Sequence, residues 1–149
     1  MITNKDALKD MLISRGVKPT FQRLSILESV LEKRTHPTIK SLYGELVRSV
    51  PTLSKTTLYS SLELFTQKGI VTALTIDPTE VRYDGQTTPH HHFFCERCGR
   101  IIDLELDCVN SRRGEFDGHR ISEVHGYFKG ICKECLKKGH KKHNPARRN

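Results

Sequence analysis

The sequence is poor in the residues that build large apolar cores and membrane spans. Its 149 residues include no tryptophan and two methionines, and hydrophobic residues make up 36% of the chain. No apolar run approaches the ~20 residues that cross a bilayer, and residues 1–10 lack the apolar centre of a signal peptide. We therefore expect one or two small domains that contact no membrane and stay in the cytoplasm, where thiols remain reduced.

Two Cys-x-x-Cys pairs form the most specific motif of the chain. Cys95 and Cys98 are the first pair, and Cys132 and Cys135 are the second. Each pair can chelate from one tight turn, and four thiolates suit a closed, tetrahedral structural zinc site. Two unrelated pairs, redox-active or disulfide-bonded, are the alternative. The fifth cysteine, Cys108, is expected to be a small buried hydrophobe rather than a sensor thiol.

Three consecutive histidines precede the first cysteine pair. If this stretch is extended, His90 and His92 point to one face while His91 points to the other. The next predicted strand places Asp103 and Glu105 on a common face. Two imidazoles with one or two carboxylates could hold a second metal. This nitrogen and oxygen set suits Fe(II), Mn(II) or Zn(II), and carboxylate-rich sets favour the first two. A solvated polar loop is the alternative.

The net charge of +8 is unevenly distributed. Residues 1–83 carry a surplus of four positive charges, residues 84–135 a surplus of two negative charges, and residues 136–149 six positive charges and no acid. This pattern predicts polyanion binding by the first part and sensing or dimerisation by the second.

Apolar residues at helical spacing predict four helices in the first half. They are expected to begin near Asn4, Thr20, Thr38 and Ser54. The second should run to about Lys33, and its inward face is predicted to contain Phe21, Leu24, Leu27 and Leu31.

The fourth helix, predicted from Ser54 to Lys68, opens with a polar face. That face consists of Lys55, Thr56, Thr57, Tyr59 and Ser60. Hydroxyls and a lysine suit phosphates, and a tyrosine can contact a base edge or methyl group. Runs at 70–76 and 80–83, separated by Asp77-Pro78-Thr79, predict a hairpin, so the first half is interpreted as a winged helix-turn-helix. An ordinary helical domain with a solvated face is the alternative.

The second half is predicted to be a small α+β domain. Its expected strands are 92–95, 100–106, 119–125 and 127–131, with a short helix or loop at 109–116.

In combination, the motifs resemble the Fur family of metal-dependent transcriptional regulators along nearly the whole chain. The matching pieces are residues 16–20 with Gln22-Arg23, His36-Pro37-Thr38, residues 54–59, Arg82-Tyr83-Asp84, residues 90–92, residues 95–99 and the closing Cys132-x-x-Cys135. The resemblance implies an α+β homodimer, with an N-terminal winged-helix DNA-binding domain and a C-terminal α/β dimerisation domain held by structural zinc. The expected partner is double-stranded DNA with an AT-rich inverted-repeat operator.

The resemblance also implies a regulatory Fe(II) or Mn(II) site in the hinge. Its implied ligands are His36, Asp84, His90, His92 and Asp103. Aspartates at 84 and 103 are similar to the peroxide-sensing PerR subgroup, whereas iron-uptake regulators usually have glutamates there. In that subgroup bound Fe(II) reacts with peroxide and a ligand histidine is oxidised; the matching positions are His36 and His90.

Domain boundaries follow from these assignments. We predict a DNA-binding domain over 1–84, a linker over 85–89, a dimerisation and metal-binding domain over 90–136 and a basic flexible tail over 137–149. Some relatives have a further metal site that uses a histidine where this chain has Pro89, so that site is not expected here.

The expected function is a metal-dependent, peroxide-responsive repressor. Its alternative within the family is an iron, zinc or manganese uptake regulator without peroxide sensing. A zinc hydrolase using His90, His92 and an aspartate is a rival from another class, but no convincing general base or nucleophile accompanies these residues, so no enzyme is expected. A third possibility is a redox switch at Cys108 or at a zinc thiolate.

Overall fold

The chain divides into two compact units between Thr88 and Pro89. This computed structural model describes residues 4–32, 35–106, 114–122, 124 and 126–138. Cys108, most of the predicted segment 109–116 and nearly all of the predicted tail lie outside the described residues. Among the described helices, none is long and apolar enough to cross a membrane.

Four helices and a two-stranded hairpin make up the first unit. They are α1 (Lys5–Ser14), α2 (Phe21–Glu32), α3 (Ile39–Ser49), α4 (Lys55–Gln67), β1 (Thr72–Leu74) and β2 (Arg82–Asp84). β1 and β2 pair antiparallel, with Ala73 opposite Tyr83. This is the predicted winged helix-turn-helix, with the hairpin as the wing.

Side-chain caps explain where three of these helices begin. Asn4 accepts a hydrogen bond from the Asp6 amide, and Ser54 accepts one from the Thr57 amide. Thr38 forms a reciprocal capping box with Ser41 at the start of α3. Such caps satisfy amide groups that have no partner within the helix.

The core of the first unit lies where α1 to α4 meet. Its fully buried side chains include Leu8, Leu12, Leu27, Leu42, Leu58, Leu62 and Phe65. Phe21 does not belong to it: the prediction of an inward Phe21 is wrong, because as the first residue of α2 its side chain is 65% exposed. Leu24 and Leu31 pack against the core as predicted.

The second unit is built around a three-stranded sheet. Its described elements are β3 (His91–Cys95), β4 (Ile101–Leu104), β5 (Glu115–Phe116), β6 (His119–Arg120), β7 (Tyr127–Gly130) and α5 (Lys133–Lys137). β3 is central, antiparallel to β4 and parallel to β7. The predicted α+β class is therefore confirmed for the described chain.

The predicted strand 119–125 is wrong. A strand runs only from His119 to Arg120, and Ile121, Ser122 and Val124 are not in a strand. β5 pairs with β6 across a two-residue turn of Asp117 and Gly118, whose φ angles are 49° and 77°. Asp-Gly is a strong signal for such a tight hairpin.

Candidate metal centres

Cys95, Cys98, Cys132 and Cys135 bring four sulfur atoms together. Cys95 ends β3, Cys98 lies in the following turn, Cys132 caps α5 and Cys135 lies within it. The Sγ atoms of Cys95 and Cys135 are 3.9 Å apart, as are those of Cys98 and Cys132. Tetrahedral zinc, with Zn–S bonds of about 2.3 Å, requires sulfur atoms about 3.8 Å apart. The cluster therefore fits a closed structural zinc site.

The backbone around this cluster favours thiolate. The Cys132 amide donates to the Cys95 sulfur at 3.3 Å. Burial raises the pKa of the Cys95 thiol, but backbone hydrogen bonds from Cys132, Cys98 and Arg97 outweigh burial and lower this pKa to about 6. Burial and the neighbouring thiols raise the pKa of Cys135. Four sulfurs this close cannot all ionise without a cation, which zinc would supply.

A second donor cluster in the same unit contains nitrogen and oxygen atoms. His90 precedes β3, His92 lies within it, and Asp103 on β4 is directly opposite His92. The Asp103 Oδ1 atom is 3.5 Å from Nε2 of His90 and 3.7 Å from Nε2 of His92. The two imidazole rings have centroids 4.4 Å apart. The donor atoms of these three residues lie within 4.8 Å of one another, which is close enough to bind a single metal ion.

His91 and Glu105 do not join this cluster. His91 is buried on the other side of β3, against Phe128 and so close to Gly126 that a Cβ there would overlap its ring. Glu105 is exposed and lies just after β4. The predicted alternation along β3 accounts for the separation of His91 from His90 and His92.

The first unit contributes its own histidine–aspartate pair. His36, between α2 and α3, is 2% exposed, and Asp84, the last residue of β2, is 7% exposed. Nε2 of His36 is 4.0 Å from Oδ2 of Asp84, and Oδ1 of Asp84 accepts from the Gln86 amide at 2.8 Å. Two donors bound to one ion at about 2 Å each lie within about 4 Å of each other. The pair is therefore suitably spaced for shared coordination.

The predicted DNA-contacting residues lie at the start of α4. Lys55, Thr56, Tyr59 and Ser60 are exposed, Tyr59 by 56%. Thr57 is half-buried, and its hydroxyl contacts the Ser54 hydroxyl at 2.8 Å as part of the cap. The ammonium of Lys55 lies 5.4 Å from the centre of the Tyr43 ring, within cation–π range.

The wing contains an ion pair between Asp77 and Arg82 that the sequence pattern does not predict. Asp77 Oδ2 accepts from Nε and Nη2 of Arg82 at 3.0 and 2.8 Å, and Asp77 Oδ1 accepts from the Thr79 amide and hydroxyl. Burial raises the pKa of Asp77, but these hydrogen bonds and the charge of Arg82 lower it to about 2. The Asp-Pro-Thr sequence is typical of a turn in which the aspartate accepts a hydrogen bond from the residue two positions on, here Thr79. No local sequence pattern indicates that Asp77 also pairs with Arg82.

Comparisons with known proteins agree on one family. A sequence profile of the Ferric uptake regulator family matches residues 14–128. The chain is similar to the peroxide operon regulator of Bacillus subtilis, with 36% identity over 137 residues, covering 90% of this chain and 94% of that protein. It is also 35% identical over 130 residues to the peroxide-responsive repressor PerR of Staphylococcus aureus, covering 83% and 85%. Its fold is similar to that of the Vibrio cholerae ferric uptake regulator, with a TM-score of 0.68 and 27% identity over 83% of this chain and 98% of that one.

Proposed function

The chain belongs to the ferric uptake regulator family of metal-dependent regulators, and on that basis we propose that it is a peroxide-sensing DNA-binding repressor. In this proposal a regulatory Fe(II) or Mn(II) promotes operator binding. Peroxide releases the operator by oxidising a histidine that holds Fe(II).

The main support for this proposal is that the chain has two groups of metal-donor side chains, each too small to complete a metal site alone. One unit offers His36 and Asp84, and the other offers His90, His92 and Asp103. Neither set alone supplies the four to six donors that these metals usually take. We propose that one ion takes its ligands from both sets, so that metal binding limits the freedom of the link between the units.

The identity of the carboxylates supports peroxide sensing. All the proposed oxygen ligands are aspartates, and the chain is 36% identical over 137 residues to a peroxide operon regulator. Fe(II), when bound, would activate peroxide beside its ligands. One peroxide oxygen would be added to a ring carbon of the imidazole of His36 or His90, and the other would leave as water. The imidazole itself would give up the two electrons, so that no further reductant is needed. An oxidised imidazole is a poorer donor, so the metal and the operator are released.

We propose a role for each predicted segment of the chain. Residues 1–84 bind DNA, residues 85–89 act as a linker, residues 90–136 dimerise around zinc, and residues 137–149 form a basic tail. The proposed recognition surface contains Lys55, Thr56, Thr57, Tyr59 and Ser60 on α4. Since a symmetric dimer presents two such helices, the operator is proposed to be an AT-rich inverted repeat.

Anaerobic gel shifts test the proposal. Protein loaded with Fe(II) or with Mn(II) is mixed with an AT-rich inverted-repeat duplex, and peroxide is then added. We expect both forms to bind and peroxide to release only the Fe(II) form, with the added oxygen mapped by mass spectrometry to His36 or His90. Equal release of the Mn(II) form, or oxygen on a cysteine, contradicts this mechanism.

The matched control is a scrambled duplex of equal length and composition. If both metal forms bind specifically and neither responds to peroxide, the chain is instead a metal-uptake regulator. An absence of specific binding by every metal form contradicts the repressor assignment itself.

A further inference from the structure

His36 has a backbone conformation that its neighbours must maintain. Its φ angle is +51°, in the left-handed region that residues other than glycine rarely adopt. Such a conformation is strained and persists only where the surrounding structure holds it. His36 is also almost fully buried, so its imidazole has little freedom to compensate for a backbone change.

The segment after His36 is attached to the wing by backbone contacts. The Tyr83 amide donates to the Pro37 carbonyl at 3.0 Å. Thr38 forms an antiparallel bridge with Arg82. Residues 37 and 38 therefore extend the edge of the wing beside β2, the strand that also carries Asp84.

The Asp77–Arg82 ion pair fixes this part of β2. Two charge-assisted hydrogen bonds of 3.0 and 2.8 Å hold the Arg82 side chain to a carboxylate that Thr79 also anchors. The third guanidinium nitrogen, Nη1, is 3.5 Å from the His36 carbonyl. Because that contact is long, the pair acts on His36 mainly through the backbone of Arg82, Tyr83 and the bridged Thr38.

We propose that Asp77 and Arg82 are positioning residues for the metal ligand His36. By fixing the strand to which residues 37 and 38 are attached, they hold His36 in its left-handed conformation beside Asp84 before metal arrives. The inference rests on the proposed function, because it takes His36 as a ligand of the regulatory metal. It also links metal binding to the wing, since the ion pair that supports the ligand joins the wing turn at Asp77 to β2 at Arg82.

The variant Asp77→Asn tests this with little disturbance to the turn. An asparagine oxygen can still accept from Thr79, but the charged pair with Arg82 is lost. We expect the affinity for Mn(II), measured by competition with a chelator, to fall about tenfold, as when groups behind a metal ligand are removed. Glu80→Gln is the matched control, because Glu80 is an exposed acid in the same turn, and it should bind Mn(II) like the parent.

A double-mutant cycle separates positioning from general destabilisation. If Asp77 acts through His36, Asp77→Asn should cost no further Mn(II) affinity in a His36→Ala background, where the remaining donors bind more weakly. Hydrogen exchange at the Tyr83 amide of the metal-free protein should be faster in Asp77→Asn and unchanged in Glu80→Gln.

Parental Mn(II) affinity in Asp77→Asn overturns the inference while leaving the proposed function intact. An equal loss in the His36→Ala background also overturns it, because the substitution would then act independently of His36. Parental affinity in His36→Ala itself instead overturns the proposed ligand set, and the inference with it.

Discussion

At the scale of single residues, strand alternation separates two kinds of metal chemistry on β3. His92 and Cys95 are three positions apart in this strand, so their side chains point to opposite faces. His92 lies near Asp103, and Cys95 lies among the other three thiols. β3 therefore supplies residues to both clusters, the soft sulfur cluster and the harder nitrogen and oxygen cluster, and no residue belongs to both.

The first prediction concerns Cys95, the most buried of the four thiols. Cys95→Ser should yield zinc-free and poorly folded protein, because metal binding at a four-cysteine site contributes on the order of 10 kcal/mol to folding. Zinc analysis and thermal unfolding measure the effect. Cys108→Ser, outside the four-thiol set, is the control and should retain zinc. A zinc-free Cys95→Ser protein that unfolds like the parent would contradict the structural role.

The second prediction concerns the exposed face of α4. Tyr59→Ala should leave unfolding nearly unchanged, since the side chain is mostly exposed, while lowering affinity for the specific duplex and sparing the scrambled one. Lys55→Ala should weaken binding to both duplexes and reduce the salt dependence of binding by about one unit in the log–log slope. Gel shifts at several salt concentrations distinguish these effects. Parental behaviour in both variants would mean that another surface contacts DNA.

At the scale of elements, the packing of β2 against α2 depends on Gly85. A Cβ at this position would lie 2.6 Å from Leu31 Cδ2 and 3.3 Å from Leu31 Cα. The side-chain contact could relax by rotation of Leu31, but the contact with the helix backbone could relax only by a shift of the backbone itself. The close approach of the two segments therefore favours glycine directly after Asp84.

We accordingly expect Gly85→Ala to lower the free energy of unfolding by about 1–3 kcal/mol, as overpacking typically does. Gly44→Ala is the matched control, because Gly44 lies within α3 and a Cβ there meets nothing within 4 Å. That control should be stabilised by up to about 1 kcal/mol through helix propensity. Denaturant unfolding compares the two variants, and equal behaviour would contradict the packing argument.

The wing ion pair gives a prediction about pH. The pKa of Asp77 is lowered from 3.8 to about 2, so its contribution to the free energy of unfolding is full above about pH 4 and is lost as the pH falls toward 2. The stability difference between the parent and Asp77→Asn should therefore be up to about 2 kcal/mol at pH 6 and shrink toward zero at pH 2. Denaturant unfolding across this range measures it. A difference that does not vary with pH would exclude the carboxylate charge as its cause.

Local signals predicted some elements well and others poorly. The starts of α3 and α4 were predictable because Thr38 and Ser54 are good caps before clear apolar periodicity. The hairpin β5–β6 was missed because two-residue strands contain too little alternation to detect. The approach of His36 to Asp84 joins residues far apart in sequence, so only the family resemblance suggested it.

At the scale of the whole molecule, charge and the proposed metal ligands are divided along the chain. The first 83 residues carry a positive surplus, as DNA binding requires, while residues 84–135 carry a slight negative surplus before any thiolate forms. In the proposed mechanism, metal binding strengthens DNA binding only by as much as the metal binds the DNA-bound form of the protein better than the free form. Ligand geometry, rather than the number of ligands, should decide whether peroxide reverses that coupling.

Asp103→Glu tests this last point. The carboxylate of Asp103 lies 3.5 and 3.7 Å from the imidazole nitrogens of His90 and His92. A glutamate keeps the charge and donor type but extends the arm by about 1.5 Å, one carbon–carbon bond. We expect Mn(II)-dependent DNA binding to persist, and the Fe(II) form to release DNA more slowly after peroxide, with less oxygen added to His90.

Time-resolved gel shifts and peptide mass mapping measure both effects. Glu105→Gln is the control, because Glu105 is an exposed acid two positions further along the chain, and it should behave like the parent. If Asp103→Glu loses DNA at the parental rate, or loses Mn(II)-dependent binding altogether, the carboxylate does not tune peroxide reactivity as proposed.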